Sequence, residues 1–209
     1  MTEHGEPSDD HLMHITDKTQ PIDLLNQWIL EAKANPGIRE SNAMILSTSG
    51  VDDEIHSRTV LCKACTEEGL AFYTNYLSPK GRDLARNPHA AATFYWDSMA
   101  RQVNIFGQAT RTSRANSEAY WSSRSRESQL SQHISRQSEP VTAREQLDQE
   151  WARADQEFKN KPIPCPAHWG GYILKPKHIE FWIGRPGRLH DRFLFEKCQN
   201  GWTFRRLYP

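Results

Sequence analysis

Apolar residues recur at two periods along this chain. Ile22, Leu25, Ile29 and Ala32 fall at helical spacing with Trp28 beside them, and Pro21 in front suits a helix start. Asn35-Pro36-Gly37 stops that pattern. The period then shortens toward two. Segments 43–48, 56–64 and 70–75 read as strands, with turns at Ser49-Gly50 and Glu67-Glu68-Gly69 between them. A short helix is predicted over 79–86, ended by Asn87-Pro88, and strands resume over 89–96 and 102–112. Helical spacing returns over 114–125 and, more strongly, over 141–159, which is rich in Glu, Gln, Ala and Arg. Lys161-Pro162-Ile163-Pro164-Cys165-Pro166 reads as an extended connector. Four last strands are predicted over 171–174, 179–183, 193–197 and 202–207.

Many short strands with helices inserted between strand groups predict a mainly β fold: a small antiparallel barrel with α-helices flanking it. Strands and helices do not alternate, which disfavours a doubly wound sheet. Residues 1–19 are polar and aperiodic and are expected to form a flexible N-terminal arm before one domain over 20–209.

Composition narrows the function. The 209 residues hold 26 Lys plus Arg and 26 Asp plus Glu, so the formal charge is zero, against the basic excess of a nucleic-acid module. Mean hydropathy is −0.77. The longest apolar stretch, Ala90 to Trp96, is interrupted by Thr93 and falls far short of a membrane span. The first ten residues lack an apolar segment, so no secretory signal is expected and the protein reads as cytoplasmic. Cys62 and Cys65 form the sole Cys-x-x-Cys pair among four cysteines. Read within one strand, they point to opposite faces and would chelate poorly, so reduced thiols and no metal are expected.

Glycine-rich phosphate loops, His-Glu-x-x-His and Gly-x-Ser-x-Gly are all absent. The chemical signal lies in cations set beside strands and hydroxyl or aromatic runs. Arg58 and Lys63 flank one predicted strand, and Lys80 and Arg82 open the short helix after Tyr73-Thr74. Tyr120, Arg124 and Ser128 stand four apart, on one face if the segment is helical. Arg188-Leu189-His190-Asp191-Arg192 follows a Pro-Gly turn. Cations on rigid elements suit phosphate ligands. Taken singly, the Arg and Lys residues read more readily as solvated edge charges, and His190 as structural.

Their order is informative. Arg58-Thr59-Val60-Leu61-Cys62-Lys63, Phe72-Tyr73-Thr74-Asn75, Arg101-Gln102-Val103, Tyr120-x-x-x-Arg124-x-x-x-Ser128-Gln129, Arg136-Gln137-Ser138, Glu180-Phe181-Trp182, Arg188-Leu189-His190-Asp191-Arg192-Phe193 and the final Arg206-Leu207-Tyr208-Pro209 occur in sequence. With them the chain resembles the pyridoxine/pyridoxamine 5′-phosphate oxidases, FMN enzymes with an antiparallel split-barrel fold, from about Ile22 to Pro209. The resemblance implies that Arg58, Thr59, Val60, Leu61, Cys62, Lys63, Tyr73, Thr74, Lys80, Gln102, Gln137, Ser138, Trp182 and Arg192 hold FMN. It implies that Lys63, Tyr120, Arg124, Ser128, Arg188, Leu189 and His190 hold the substrate, with Arg188 and His190 closest to the chemistry. It further implies a homodimer with FMN between subunits, oxidation of pyridoxine or pyridoxamine 5′-phosphate by O2, and release of hydrogen peroxide.

Two departures from the family pattern stand out. His11 to Thr16 has no Arg or Tyr where the family's arm covers the substrate, and Pro79 replaces a basic residue before Lys80. Alternative readings are a phenazine-biosynthesis-type FMN oxidase and a non-catalytic protein that binds FMN or pyridoxal phosphate. Seven Trp residues are hard to bury in one small barrel, so several are expected at the subunit interface. Arg58 and Lys63, five apart, would face opposite ways on a flat strand, so a bulge or an edge-wrapping ligand is expected. Arg188 and His190 are expected to reach one side of an extended segment while Leu189 enters the core.

Overall fold

The computed structural model describes residues 15–209. Residues 1–14 of the expected arm lie outside them. Of the remainder, Ile15 is 9% exposed and joins the core.

Helix α1 (Pro21–Ala34) leads into β1 (Ala43–Ser49), β2 (Ile55–Leu61), β3 (Ala64–Thr66) and β4 (Gly69–Asn75). Then follow α2 (Pro79–Arg86), β5 (His89–Trp96) and β6 (Arg101–Arg111). A helical group comes next, α3 (Arg114–Ser122), α4 (Arg126–Ile134) and α5 (Arg144–Glu157), and then β7 (Trp169–Ile183), β8 (Asp191–Cys198) and β9 (Gly201–Leu207). The strands form one antiparallel sheet in the order β2-β1-β5-β6-β7-β4-β3, with β8 also pairing β7 and β9 pairing β8.

The two ends of that order are one piece of chain. β2 pairs with β1 as far as Leu61, and β3 starts pairing with β4 at Ala64. Between them, Cys62 N–H donates to Asn42 O at 2.8 Å and Lys63 N–H donates to Ala71 O at 2.8 Å. The predicted single strand over 56–64 is therefore two strands on opposite edges of the sheet. The barrel is closed by covalent chain, with no ladder between β2 and β3. Cys62 and Cys65 do not share a strand, which corrects the reason given for their poor chelation. Burial pushes both thiols up to about 12, where they stay protonated.

β7 was read as two strands and is one of 15 residues. Along one edge it pairs with β6 for most of its length. Along the other it pairs first with β4 (Trp169–Leu174) and then with β8 (His178–Ile183). This change of partner splits the barrel. The ladder with β6 shifts register between Phe106 and Gly107, opposite Pro176, which has no N–H to donate.

α1 plugs the barrel. Leu25, Trp28 and Ala32 pack with Met44, Leu46, Phe72, Phe94, Trp96, Val103, Ile105 and Phe181. Trp28 meets Phe181 edge-on at 5.1 Å. A second core joins α3, α4, α5 and the connector through Trp121, Leu130, Ala154, Ile163 and Trp169. Two cores bury more aromatic surface than one barrel can. Trp28, Trp96, Trp121 and Trp169 are all 2% exposed or less, while Trp151, Trp182 and Trp202 are partly exposed and remain available to an interface. The uncovered large side chains are others. Ile45, Tyr95 and Phe106 share the outward face of β1, β5 and β6.

The register shift rests on Gly107. A Cβ there would lie 2.0 Å from Lys175 O, a backbone atom that cannot move away. Gly107→Ala is expected to destabilise the fold by about 2 kcal/mol through overpacking. Urea titration of the two proteins checks this, and an unchanged midpoint would show that β7 yields at Pro176.

Candidate functional site

A cavity of about 920 Å³ opens where β2 crosses to β3. Its wall is built from four places in the sequence. The crossing supplies Arg58, Thr59, Val60, Leu61 and Lys63; β4 and α2 supply Tyr73, Thr74 and Lys80. The α3–α4 turn adds Tyr120, Arg124 and Ser128, and the loop after α4 adds Gln137 and Ser138. The strand break answers the facing problem. Arg58 and Lys63 reach one cavity because the chain leaves its strand between them, without a bulge. Cys62 is the member of that stretch whose side chain does not line the cavity; it is 5% exposed and belongs to the core.

α2 places Lys80. Ser78 caps the helix by accepting from Gly81 N–H, and Pro79 occupies the first turn, where no N–H is needed. Lys80 is 8% exposed. Its Nζ donates to Gln137 Oε1 at 2.9 Å, Thr74 Oγ1 at 3.2 Å and Ser78 Oγ at 3.3 Å. Burial, and then the Arg58 charge, push the amine down to about 8, while Asp83 acts the other way. Arg58 Nη1 donates to Thr48 Oγ1 at 2.7 Å and Leu46 O at 3.2 Å. Burial lowers this guanidinium too, although Asp83 opposes the shift. Two partly buried cations gathered at one wall, with neutral acceptors for most of their bonds, form a receptor for an anion.

A second part of the wall is aromatic. Tyr73 stacks on Tyr120 at 3.8 Å and on Trp169 at 5.5 Å. The Arg124 guanidinium lies over Trp169 at 5.2 Å. Arg124 Nη2 donates to Ser128 O at 3.4 Å, and its buried Nε has no partner. Tyr120, Arg124 and Ser128 do come together, but not on one helical face. The predicted helix breaks at Ser123. Ser125 then caps α4 by accepting from Ser128 N–H at 3.3 Å, and Arg124 sits in the turn. Ser138 closes the wall with φ at 72°, a left-handed conformation costing about 1 kcal/mol or more in a non-glycine residue.

The remaining predicted residues lie elsewhere. Gln102, Trp182 and Arg192 are register partners across β6, β7 and β8, so they form one row on the outer sheet face. Tyr95 extends that row onto β5. Arg192 is held by Glu180 through bonds of 2.8 and 3.0 Å, which raise its guanidinium further. His190 leans on Trp182 at 4.7 Å, and its Nδ1 accepts from Arg185 N–H at 3.0 Å. In the neutral ring the proton is then on Nε2. Arg188 is exposed, has φ at 63° and has no side-chain partner among the described residues. Asp191 is held by Arg185 at 2.8 Å and Arg206 at 3.3 Å.

Leu189 departs from expectation: it is 75% exposed rather than in the core. Gly187 and Arg188 both take positive φ, so the segment is a left-handed turn and the alternation of an extended strand does not apply. The row and the cavity are far apart. Trp169 under the cavity and Trp182 in the row sit 13 residues apart on β7, roughly 40 Å along a strand.

Sequence reasoning missed His56 and Ser125, which also line the cavity, as does Pro79. Ser125 had a signal, since a Ser at the start of a polar helical run is a cap. His56 had none.

Comparison with known proteins identifies the family. A family model described as pyridoxamine 5′-phosphate oxidase matches residues 30–156, and one described as the pyridoxine 5′-phosphate oxidase C-terminal dimerisation region matches 169–209. Proteins named pyridoxine/pyridoxamine 5′-phosphate oxidase are similar over most of their length. That of Rubrobacter xylanophilus is 45% identical over 90% of this chain and 87% of its own. That of Nocardia farcinica is 47% identical over 89% and 84%. Among solved structures, PhzG from Burkholderia lata, in complex with tetrahydrophenazine-1-carboxylic acid, superposes with a TM-score of 0.85 at 31% identity, covering 91% of this chain and 93% of its own.

Lys80 makes the site a source of instability. Its folded value of about 8 lies below the ordinary 10.5, so between those pH values the unfolded chain holds more protons. Stability from this group therefore rises as pH climbs from 8 to 10.5, and the full penalty applies below 8. Lys80→Met is expected to stabilise the ligand-free protein by about 1 kcal/mol at pH 7, with the gain vanishing near pH 10.5. Denaturation at both pH values checks it; a less stable variant at pH 7 would show that the hydrogen bonds of Lys80 outweigh its burial.

Proposed function

The chain belongs to the pyridoxine/pyridoxamine 5′-phosphate oxidase family, and from that premise we propose how its residues divide the work. It is an FMN-dependent oxidase of pyridoxine and pyridoxamine 5′-phosphates that acts as a homodimer. FMN held in the cavity would supply the two-electron chemistry, accepting a hydride from the substrate carbon and returning the electrons to O2 as hydrogen peroxide; the alcohol would give pyridoxal 5′-phosphate directly, and the amine would give it after water adds to the imine and ammonia leaves.

The fit of the cofactor is supported by the buried cation pair. Arg58 and Lys80, with Thr74, Gln137 and Ser138, hold the FMN phosphate. Thr59, Val60, Leu61, Lys63 and Tyr73 line the space beside it; Cys62 can contribute only its backbone, because its thiol is in the core. Tyr120, Arg124 and Ser128, with Lys63, take the substrate phosphate. This second anion cradle favours the phosphate ester over a phenazine-type substrate, which has no phosphate to place there.

The observation that carries the reading is the separation of the row from the cavity. Gln102, Trp182, Arg192, Arg188, Leu189 and His190 gather around the end of β7 that lies away from their own chain's cavity. We assign them to the cavity of the partner subunit, so that FMN lies between subunits. The uncovered Ile45, Tyr95 and Phe106 on the same outer face support its burial in the dimer. Arg188, extended on a left-handed turn without a partner, lies against the substrate ring. His190 donates through Nε2 to a ring substituent, and its engaged Nδ1 cannot act as a base. The chain therefore positions and shields the substrate, and supplies no obligatory proton acceptor.

Among the described residues no helix is long and apolar enough to cross a membrane. All four cysteines are free, which supports a reducing, cytoplasmic location. We read residues 20–209 as one oxidase domain behind an arm of residues 1–19.

Adding pyridoxine 5′-phosphate to the FMN-loaded protein is expected to release peroxide; its absence would leave only binding. Arg124→Ala should lower kcat/KM by the equivalent of about 1.5–3 kcal/mol, with FMN content unchanged. Arg188→Ala should lower kcat and raise KM together, and His190→Ala should do less harm. Shared sites make a sharper prediction. Co-expressed Arg124→Ala and Arg188→Ala chains should form heterodimers with one intact site and about half of wild-type turnover. Heterodimers as weak as either parent would mean that each chain builds its site alone.

A further inference from the structure

Behind the cavity wall, in contact with the lining residues His56 and Arg58, lies a carboxylate to which the division of work above gives no task. Asp83 lies on α2 one turn after Lys80 and is 8% exposed. Three groups from β1 and β2 converge on its Oδ2: Thr48 Oγ1 donates at 2.6 Å, His56 Nδ1 lies at 3.1 Å and Arg58 Nη2 at 3.7 Å. Space is kept for this arrangement. A Cβ at Gly50 would lie 2.6 Å from the His56 ring. Burial works against the Asp83 charge, yet the bonds from Thr48 and His56, with the charges of His56 and Arg58, hold the carboxyl below its ordinary range. It is therefore ionised at neutral pH.

An anion beside a phosphate receptor weakens it by direct repulsion. Its presence here has a geometric reason. Arg58 Nη1 is bound to Leu46 O and Thr48 Oγ1, and Nη2 is drawn to Asp83, so three contacts fix the plane of the guanidinium. Its Nε–H has no partner among the described residues and remains for a ligand. Resting on the assignment of this cavity to the FMN phosphate, we propose that Asp83 is a positioning residue of the phosphate site: strutted by Thr48 and His56, it holds the Arg58 fork in plane and supplies the counter-charge that lets Arg58 and Lys80 stand together.

The counter-charge has a readable consequence. Lys80 is faced by Arg58, His56 and Lys63 from the crossing, by Asp83 and Ser78 from its own helix segment, by Thr74 from β4 and by Gln137 from the loop. Asp83 is the acidic group that opposes the loss of the Lys80 proton. Without it the amine deprotonates at lower pH, and the grip on phosphate is lost there too.

The test is the FMN dissociation constant of full-length apoprotein from pH 6 to 9, read by flavin fluorescence. Wild type should bind FMN and weaken above about pH 8. Asp83→Asn should weaken binding about tenfold at pH 8, with the alkaline fall beginning roughly one pH unit lower. Thr48→Val keeps shape and charge but removes the strut shared by Arg58 and Asp83; it should weaken binding about fivefold at every pH, with an unchanged fall. If wild type does not bind FMN, the cofactor assignment itself fails. If it binds and Asp83→Asn keeps the wild-type pH profile, the counter-charge is refuted. Should Asp83→Asn not fold, Thr48→Val still decides: unaltered affinity would refute the positioning role.

Discussion

The barrel is closed by two residues of backbone, and the site depends on that closure. After Leu61 the chain stops pairing with β1 and by Ala64 it pairs with β4. The crossing is pinned on both sides: Asn42 takes the Cys62 N–H and returns its side-chain amide to Cys62 O at 2.8 Å, while Ala71 takes the Lys63 N–H. A gap between strands 2 and 3 would expose unpaired edges in most sheets. Here it becomes the mouth of a cavity. Because β4 runs straight into the turn that starts α2, the same crossing brings Arg58, Lys63 and Lys80 to one wall. Loosening it would scatter the cations before disturbing either core.

β7 does for the dimer what the crossing does for the subunit. One half of this strand underlies the aromatic stack of Tyr73, Tyr120 and Trp169; the other half presents Trp182 between Gln102 and Arg192. In the proposed division of work the two halves serve different cavities. The change of partner from β4 to β8, beside the register shift at Gly107, lets one strand belong to both.

Much of this was legible in the sequence because strand period and turn residues are local. The elements over 79–86 and 89–96 and the first helix fall where their signals place them. The errors share a physical cause. Val60-Leu61-Cys62-Lys63-Ala64 continues an extended pattern without a Gly or Pro, so nothing local marks a change of pairing partner. Lys175-Pro176-Lys177 interrupts the apolar pattern of β7 although its backbone runs on. Leu189 follows strand alternation only if the backbone is extended, and two positive φ values prevent that. Among site residues, order along the chain found the cavity members and the row together, but spacing alone could not say that they lie apart. Asp83 was invisible, because an acidic residue on a short polar helix reads as solvated until β1 and β2 pack over it.

Cys62, one residue before Lys63, lies beside a reaction that makes an oxidant. Peroxide attacks thiolates and spares thiols. Burial pushes the Cys62 thiol up to about 12, so it stays protonated at pH 7, and Cys65 matches it. Core burial at the crossing thus acts as chemical armour: the hinge of the barrel is made from a sulfur that the enzyme's own by-product reaches in its least reactive form.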